Sequence, residues 1–177
     1  RYLYETPDFP SVVLRVPAVL GPEATSLRFW WYLQRIEDER EIILRDGGFN
    51  IFRNGYRDDV AQAFIDAMVS PTTTNQIYNI GQAEIMTLHR FLQVIAEQAD
   101  RKLNVVPVPG DVADALGGFP WPKPYYDSFS HPPSYVVSIE KARRDFNLRS
   151  TPVDQWVGTT VEWYRTQFDG RNSYGYD

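Results

Sequence analysis

Strand-length and helix-length apolar patterns alternate along this 177-residue chain, which predicts an α/β fold. Ser11-Val12-Val13-Leu14-Arg15-Val16 is a β-branched apolar run held between Pro10 and Pro17. A continuous run of this kind suits a strand buried on both faces, as in a parallel sheet. Val60, Ala63, Phe64, Ala67 and Met68 keep the i, i+3, i+4, i+7, i+8 spacing of one helical face. The predicted order is strand, helix, two short strands, helix, strand, helix, strand, loop, helix, helix. A doubly wound sheet needs more parallel strands than this order supplies, so the sequence reads as part of one.

Each element has its own signal. Arg1 to Glu5 reads as a helix tail ended by Pro7 and Pro10. Gly21-Pro22 breaks the chain after the first strand, and a helix is expected from about Thr25 to Arg40. Glu41 to Leu44 and Phe49 to Arg53 flank Asp46-Gly47-Gly48, which predicts a hairpin or two short strands. Asp58 or Asp59 is expected to cap the next helix, and Ser70-Pro71 to stop it. Ile77 to Gly81 is a short strand. Thr87 caps a helix carrying Leu88, Phe91, Leu92, Ile95 and Ala99 on one face, and Asn104 to Val108 is a further strand. Gly110 to Pro133 reads as a loop, and Ser138 opens a short helix through Phe146. Thr151-Pro152-Val153-Asp154 has the pattern of a capped helix start, leading to a face of Val153, Val157, Thr160, Val161, Tyr164 and Phe168.

Composition narrows the chemistry. The net charge is −5, and no Lys/Arg block offers the basic field that a nucleic-acid partner requires. The absence of cysteine removes disulfides, thiolate nucleophiles and cysteine-based zinc sites. His89 and His131 lie far apart in sequence without carboxylates at ligand spacing, so no metal site is expected. No apolar run reaches the roughly 20 residues needed to span a bilayer, and no signal-peptide core opens the chain. A cytoplasmic protein is the expectation.

Three stretches carry a resemblance. The first is Leu14-Arg15-Val16-Pro17-Ala18-Val19-Leu20-Gly21-Pro22. The second is Gly55-Tyr56-Arg57-Asp58-Asp59-Val60-Ala61, followed by Ile77-Tyr78-Asn79-Ile80-Gly81. The third is Ser138-Ile139-Glu140-Lys141-Ala142-Arg143, followed by Thr160-Val161-Glu162-Trp163-Tyr164. In this order they resemble the extended short-chain dehydrogenases/reductases, the NAD-dependent epimerase/dehydratase family. The resemblance implies the C-terminal part of a doubly wound NAD(P)-binding Rossmann-type fold plus a small substrate-binding lobe over residues 1–170, with 171–177 a polar tail. The family's Gly-x-x-Gly-x-x-Gly turn and Tyr-x-x-x-Lys pair do not occur in the sequence. The break at Arg1 is expected just after the family's catalytic Lys. No catalytic residue is therefore assigned, and the chain alone is expected to be inactive and to hold NAD or NADP weakly at most.

The resemblance also implies site residues. Val16 and Pro17 match the segment that passes the nicotinamide, and Ala18 the segment that meets the substrate. Members acting on nucleotide sugars often carry Asn where Ala18 stands, and an Ala side chain cannot hydrogen-bond a hydroxyl or phosphate. Arg53 is the nearest counterpart of the family's substrate-phosphate Arg, one residue out of register; its planar fork suits phosphate. The other reading of Arg53 is an exposed strand arginine. Further family positions fall near Ser128 and His131, neither a replacement for Arg. Tyr56 is a second substrate-binding candidate, against plain packing. Trp30, Trp31 and Tyr32 either line a pocket or pack in a core, and Pro120 to Tyr126 forms a lid or a surface loop. The expected partner is a small molecule, such as a sugar or nucleotide sugar, with homo-oligomers open. The alternatives are a non-catalytic binding protein, for RNA or protein, and a self-assembling module.

Overall fold

A computed structural model describes residues 6, 9–24, 27–115 and 136–169. The elements in order are β1 (Val12–Arg15), β2 (Val19–Leu20), α1 (Arg28–Glu37), β3 (Ile42–Arg45), a 3-10 turn (Asp46–Gly48), β4 (Ile51–Phe52), β5 (Gly55–Tyr56), α2 (Arg57–Val69), β6 (Gln76–Asn79), β7 (Met86–Thr87), α3 (Leu88–Ala99), β8 (Val105–Val108), α4 (Gly110–Ala115), α5 (Glu140–Phe146) and α6 (Val153–Thr166). The fold is α/β, as the patterning predicts. The chain divides into two compact units.

The first unit comprises Arg1–Leu20, Arg53–Glu84 and Val137–Thr151. Here β1 pairs in parallel with β6, Val12 opposite Gln76 and Arg15 opposite Asn79. β2 pairs in parallel with β5. The core is Ala63, Ala67, Tyr78, Ile80, Ile139, Ala142, Phe146 and Leu148, with Val12, Leu14 and Val60 packed against it. The Lys141 ammonium locks α5 to β6 by donating to Gln76 Oε1 at 2.8 Å and to the Ile77 carbonyl at 3.1 Å. The Tyr78 hydroxyl adds a bond to Asp145 at 3.0 Å, and its ring meets Phe146 edge-on.

The second unit comprises Gly21–Phe52, Ile85–Val136 and Pro152–Asp177. β3 pairs in parallel with β8, and β4 with β7 antiparallel. Its core is aromatic. Phe29 on α1 stacks on Tyr164 of α6 at 5.7 Å and meets Phe91 of α3 edge-on at 6.1 Å, and Trp156 lies 5.9 Å from Phe91. Aromatic pairs of this kind add to the burial of their large surfaces. Arg165 ties α6 to α1 and α3 through Glu37 Oε1 and the Ala99 carbonyl.

Several expectations change. β1 is parallel but only half-buried, with Val12, Val13 and Leu14 intermediate and Arg15 exposed. The first helix runs Arg28–Glu37 rather than to Arg40. The segments around Asp46-Gly47-Gly48 are two strands and not a hairpin, because each pairs elsewhere. Asp46, Gly47 and Gly48 all take left-handed φ (47°, 70° and 70°), and the turn carries β3 away from β4. Neither Asp58 nor Asp59 caps α2, which starts one residue before them. Ala63 and Ala67 face the core as expected, whereas Phe64 and Met68 point outward. Helix α4 occupies the start of the expected loop from Gly110. The rest of that loop, with Pro120 to Tyr126, Ser128 and His131, lies outside the described residues, as do the Arg1 to Glu5 segment and the tail. Thr87 does cap α3, accepting from the Arg90 amide at 3.1 Å, and Asp100 in left-handed conformation ends it.

Candidate functional site

The sequence-predicted residues cluster in the first unit, at the carboxyl end of β1. This is where ligands of parallel α/β sheets sit. Past Arg15, whose carbonyl accepts the Ile80 amide at 3.1 Å, the chain turns through Val16, Pro17 and Ala18. The Ala18 carbonyl then accepts the Gly55 amide at 2.9 Å, and β2 runs beside β5. Gly55 is required at this junction: a Cβ there would stand 2.7 Å from Val60 Cγ2 and 3.6 Å from Pro17 Cγ. Pro17 and Ala18 are thereby fixed against the entry to α2. Val16 leaves 41% of its surface exposed, an apolar face at a strand end.

Tyr56 is buried, and its hydroxyl donates to Asp58 Oδ2 at 2.9 Å. Burial pushes the phenol up to about 12, and the bond to Asp58 pushes the same way. Tyr56 therefore keeps its proton near neutrality and can orient a neighbour but cannot act as a base. Asp58 and Asp59 diverge, as adjacent helical residues must. Asp58 also accepts from Arg57 Nε at 3.0 Å. Asp59 accepts the Thr151 amide at 2.7 Å and the Thr151 hydroxyl at 2.8 Å, joining α2 to the segment after α5.

Arg53 reaches the segment before α5. Its Nη1 donates to the Val137 carbonyl at 2.7 Å, and its stem lies against Gly81. Desolvation lowers its pKa, opposed by the charge of Glu140 and assisted by Arg143. The backbone thus brings Pro17, Ala18, Gly55 and Tyr56 together, while the Arg53 guanidinium is engaged at Val137. Beside them Gly55, Tyr56, Asp59, Gly81, Leu148 and Arg149 line a shallow surface depression too tight to admit a water-sized body. The sequence reading did not single out Asn54 or Gln82, both buried beside these residues. A lone Asn or Gln carries no periodic signal.

In the second unit Trp31 and Tyr32 are buried, and Trp30 stacks on Tyr164 at 5.3 Å, so this aromatic run packs a core. His89 stacks on Phe49 at 5.7 Å, and its Nδ1 lies 3.2 Å from the Gly47 carbonyl. Arg45, buried at the end of β3, makes a bidentate pair with Asp114 of α4 and lies 3.5 Å from Asp46. Among the described residues no three His, Cys, Asp or Glu side chains converge as a metal site. None of the described helices is long and apolar enough to cross a membrane.

Comparison with known proteins agrees on the fold. No family model matches the chain. It is 27% identical over 164 residues to the uncharacterized protein y4nG of Sinorhizobium fredii, covering 86% of this chain and 39% of that protein. Among solved structures it superposes on dTDP-glucose 4,6-dehydratase from Bacillus anthracis in complex with NAD, with a TM-score of 0.70 and 18% identity over 94% of this chain and 48% of that one. UDP-glucuronic acid 4-epimerase from Bacillus cereus in complex with NAD gives 0.67 and 14% over 95% and 48%. Epimerase Mth375 from Methanothermobacter thermautotrophicus gives 0.68 and 16% over 95% and 47%. The chain spans about half the length of these structures. It shares the fold of that half of NAD-binding epimerases and dehydratases, the level at which the motif resemblance holds.

Proposed function

We propose that the chain is the substrate-binding portion of an NAD(P)-dependent epimerase, dehydratase or reductase acting on a sugar or sugar nucleotide. The observation that carries this reading is the junction at the end of β1, where the Ala18 carbonyl is bonded to Gly55 and Pro17 packs beside it. Exposed Val16 followed by Pro17 supports an apolar wall at the strand end, next to Ala18. Such a wall fits one face of a nicotinamide ring but offers nothing to a pyrophosphate, so these residues fit part of the cofactor only. When bound, the nicotinamide supplies hydride transfer to or from a substrate carbinol or ketone. The chain's own residues orient the substrate and exclude water, and Tyr56 stays protonated throughout. With no Tyr-x-x-x-Lys pair in its sequence, the chain lacks the pair that exchanges the substrate proton in the family it resembles.

The test compares the 177-residue chain with the complete natural gene product, each assayed for a change in nicotinamide absorbance with NAD or NADP and sugar nucleotides. Turnover by the complete product and none by the chain is expected. Turnover by the pure chain would overturn the assignment of roles, and none by either would remove the enzymatic reading.

A self-assembling module is the second reading, and one feature favours it. Ala61, Phe64, Ile65, Met68 and Val69 form an outward stripe on α2 at i, i+3, i+4, i+7, i+8 spacing, with Met68 78% and Val69 76% exposed. A monomer by light scattering at high concentration would count against it.

A further inference from the structure

Asn54 is the only asparagine in the sequence that a glycine follows. An asparagine so placed is chemically exposed, because glycine has no side chain to hinder attack by its own backbone nitrogen. Gly55 cannot be exchanged to relieve this: a Cβ there would stand 2.7 Å from Val60 Cγ2. The structure instead holds the Asn54–Gly55 peptide on both edges. Its carbonyl accepts the Gln82 amide at 2.8 Å, and its N–H donates to the Ala18 carbonyl at 2.9 Å. Gly81 packs close to it, since a Cβ there would stand 3.2 Å from the Asn54 carbonyl oxygen. The Asn54 side chain carries no such restraint. The residue is 2% exposed, and neither Oδ1 nor Nδ2 has a hydrogen-bond partner among the described residues.

The reaction open to this pair is loss of the side-chain amide. The Gly55 nitrogen gives its proton to a base and attacks Asn54 Cγ. The new C–N bond closes a cyclic imide, and Nδ2 takes up a proton and leaves as ammonia. Water then adds to one of the two imide carbonyls and breaks its bond to nitrogen, leaving either aspartate or its isoaspartyl isomer. Asparagine and water become aspartate and ammonia, with no oxidant or cofactor. Ring closure requires the Gly55 nitrogen to turn onto the side chain and to surrender its proton. The bond to Ala18 withholds that proton, and the bonds on both edges fix the peptide plane. Attack therefore waits for β2 to part locally from β5. Either product sets a carboxylate where the fold buries an amide. The isoaspartyl form also adds a methylene to the main chain between the Ala18 and Gln82 bonds, so the two cannot both re-form in register.

We propose that Asn54–Gly55 is a deamidation site gated by the fold: shut while β2 is paired with β5, reactive when they part, and unable to close again once it has reacted. The modification strikes the junction between Ala18 and Gly55, but it does not depend on the substrate-binding reading.

The unaltered full chain tests the gate, so the result holds even where a variant fails to fold. The chain is kept at mildly alkaline pH, folded or in urea, and Asn54 is followed by peptide mass mapping and isoaspartyl methyltransferase labelling. Asn54 should react in urea and at least about a hundredfold more slowly in the folded chain. Hydrogen exchange at the Gly55 amide of the same folded sample should give a protection factor matching that ratio within about tenfold, because both events need the Ala18 bond broken. No reaction in urea, equal rates in the two states, or a ratio outside that match would each overturn the gate. Asn54→Asp, which carries the product with an unaltered main chain, tests the irreversible step. Its unfolding constant should rise about tenfold or more, up to failure to fold. A urea midpoint equal to the parent's would overturn that step. None of these readouts involves turnover, so failure of the enzymatic reading leaves them untouched.

Discussion

Replacing Asp59 by Ala should destabilise the first unit by about 2–4 kcal/mol. The carboxylate accepts two hydrogen bonds from one residue across 92 positions of sequence, the Thr151 amide at 2.7 Å and its hydroxyl at 2.8 Å. A hydrogen bond to a charged group contributes about 1.5–3 kcal/mol. Two of them would give about 3–6, but Asp59 and Thr151 are only half-buried, so water recovers part of the loss. Thr151→Val removes the hydroxyl bond alone and should lose about 1–1.5 kcal/mol. The two changes should couple by about 1 kcal/mol in a double-mutant cycle, since they share a bond. For a chain of this size a loss near 3 kcal/mol lowers Tm by roughly 6–12 °C. Urea unfolding at neutral pH, followed by tryptophan fluorescence and circular dichroism, reads the midpoints, and coincident curves license the two-state treatment. A plain helix cap at Asp59 would lose about 1 kcal/mol and would not respond to Thr151→Val. That pattern, or a loss under about 0.5 kcal/mol, would refute the reasoning.

Two further outcomes follow from the second unit. Asp114→Asn should weaken the pair that holds α4 to the end of β3; Arg45 is 8% exposed, but the Asp114 side chain is 60% exposed, so the loss should be about 1–2 kcal/mol. Amide exchange over 110–115 should then quicken by about tenfold, and unchanged protection would show that the pair does not hold the helix. Burial pushes the Tyr164 phenol up to about 12 from its ordinary 10.0. Its neutral form is favoured in the fold, so the associated stability is fully present below pH 10 and is lost as pH rises from there towards 12. The urea midpoint of Tyr164→Phe should fall less steeply across that window than that of the parent chain, and parallel curves would sink the assignment.

The legible parts of the fold are those with length and period. Helix α3 and its Thr87 cap follow from spacing, and the strands β1 and β6 from short apolar runs. The two-residue strands β2, β4, β5 and β7 are too short to show alternation, and their partners are distant in sequence. Thr151-Pro152 has the composition of a helix start, yet the N-cap is Pro152 without a side-chain bond, because the Thr151 hydroxyl donates to Asp59. Phe64 and Met68 match the apolar period of α2 but sit about 100° round the helix from the small residues Ala63 and Ala67 that meet the core, and are exposed. Of the candidate site, Pro17, Ala18 and Tyr56 were legible from the resemblance. The buried amides of Asn54 and Gln82 were not, because polar residues in loops read as surface until burial is known.

Neither unit is a continuous stretch of chain. Three segments of one alternate with three of the other, the first unit closing with Val137–Thr151 and the second with Pro152–Asp177. A ribosome making this polypeptide from its N-terminus cannot release a finished first unit until residue 151 has emerged, and the second then still lacks α6, which brings Trp156 and Tyr164 to its aromatic core. Most stabilising contacts therefore close late and over long loops, which slows folding and prolongs exposure of apolar surface. Deletion mapping suffers in the same way. A truncation that removes β1 or α6 injures a core, and no internal boundary yields one intact half, so dissecting this protein calls for point substitutions or permuted termini.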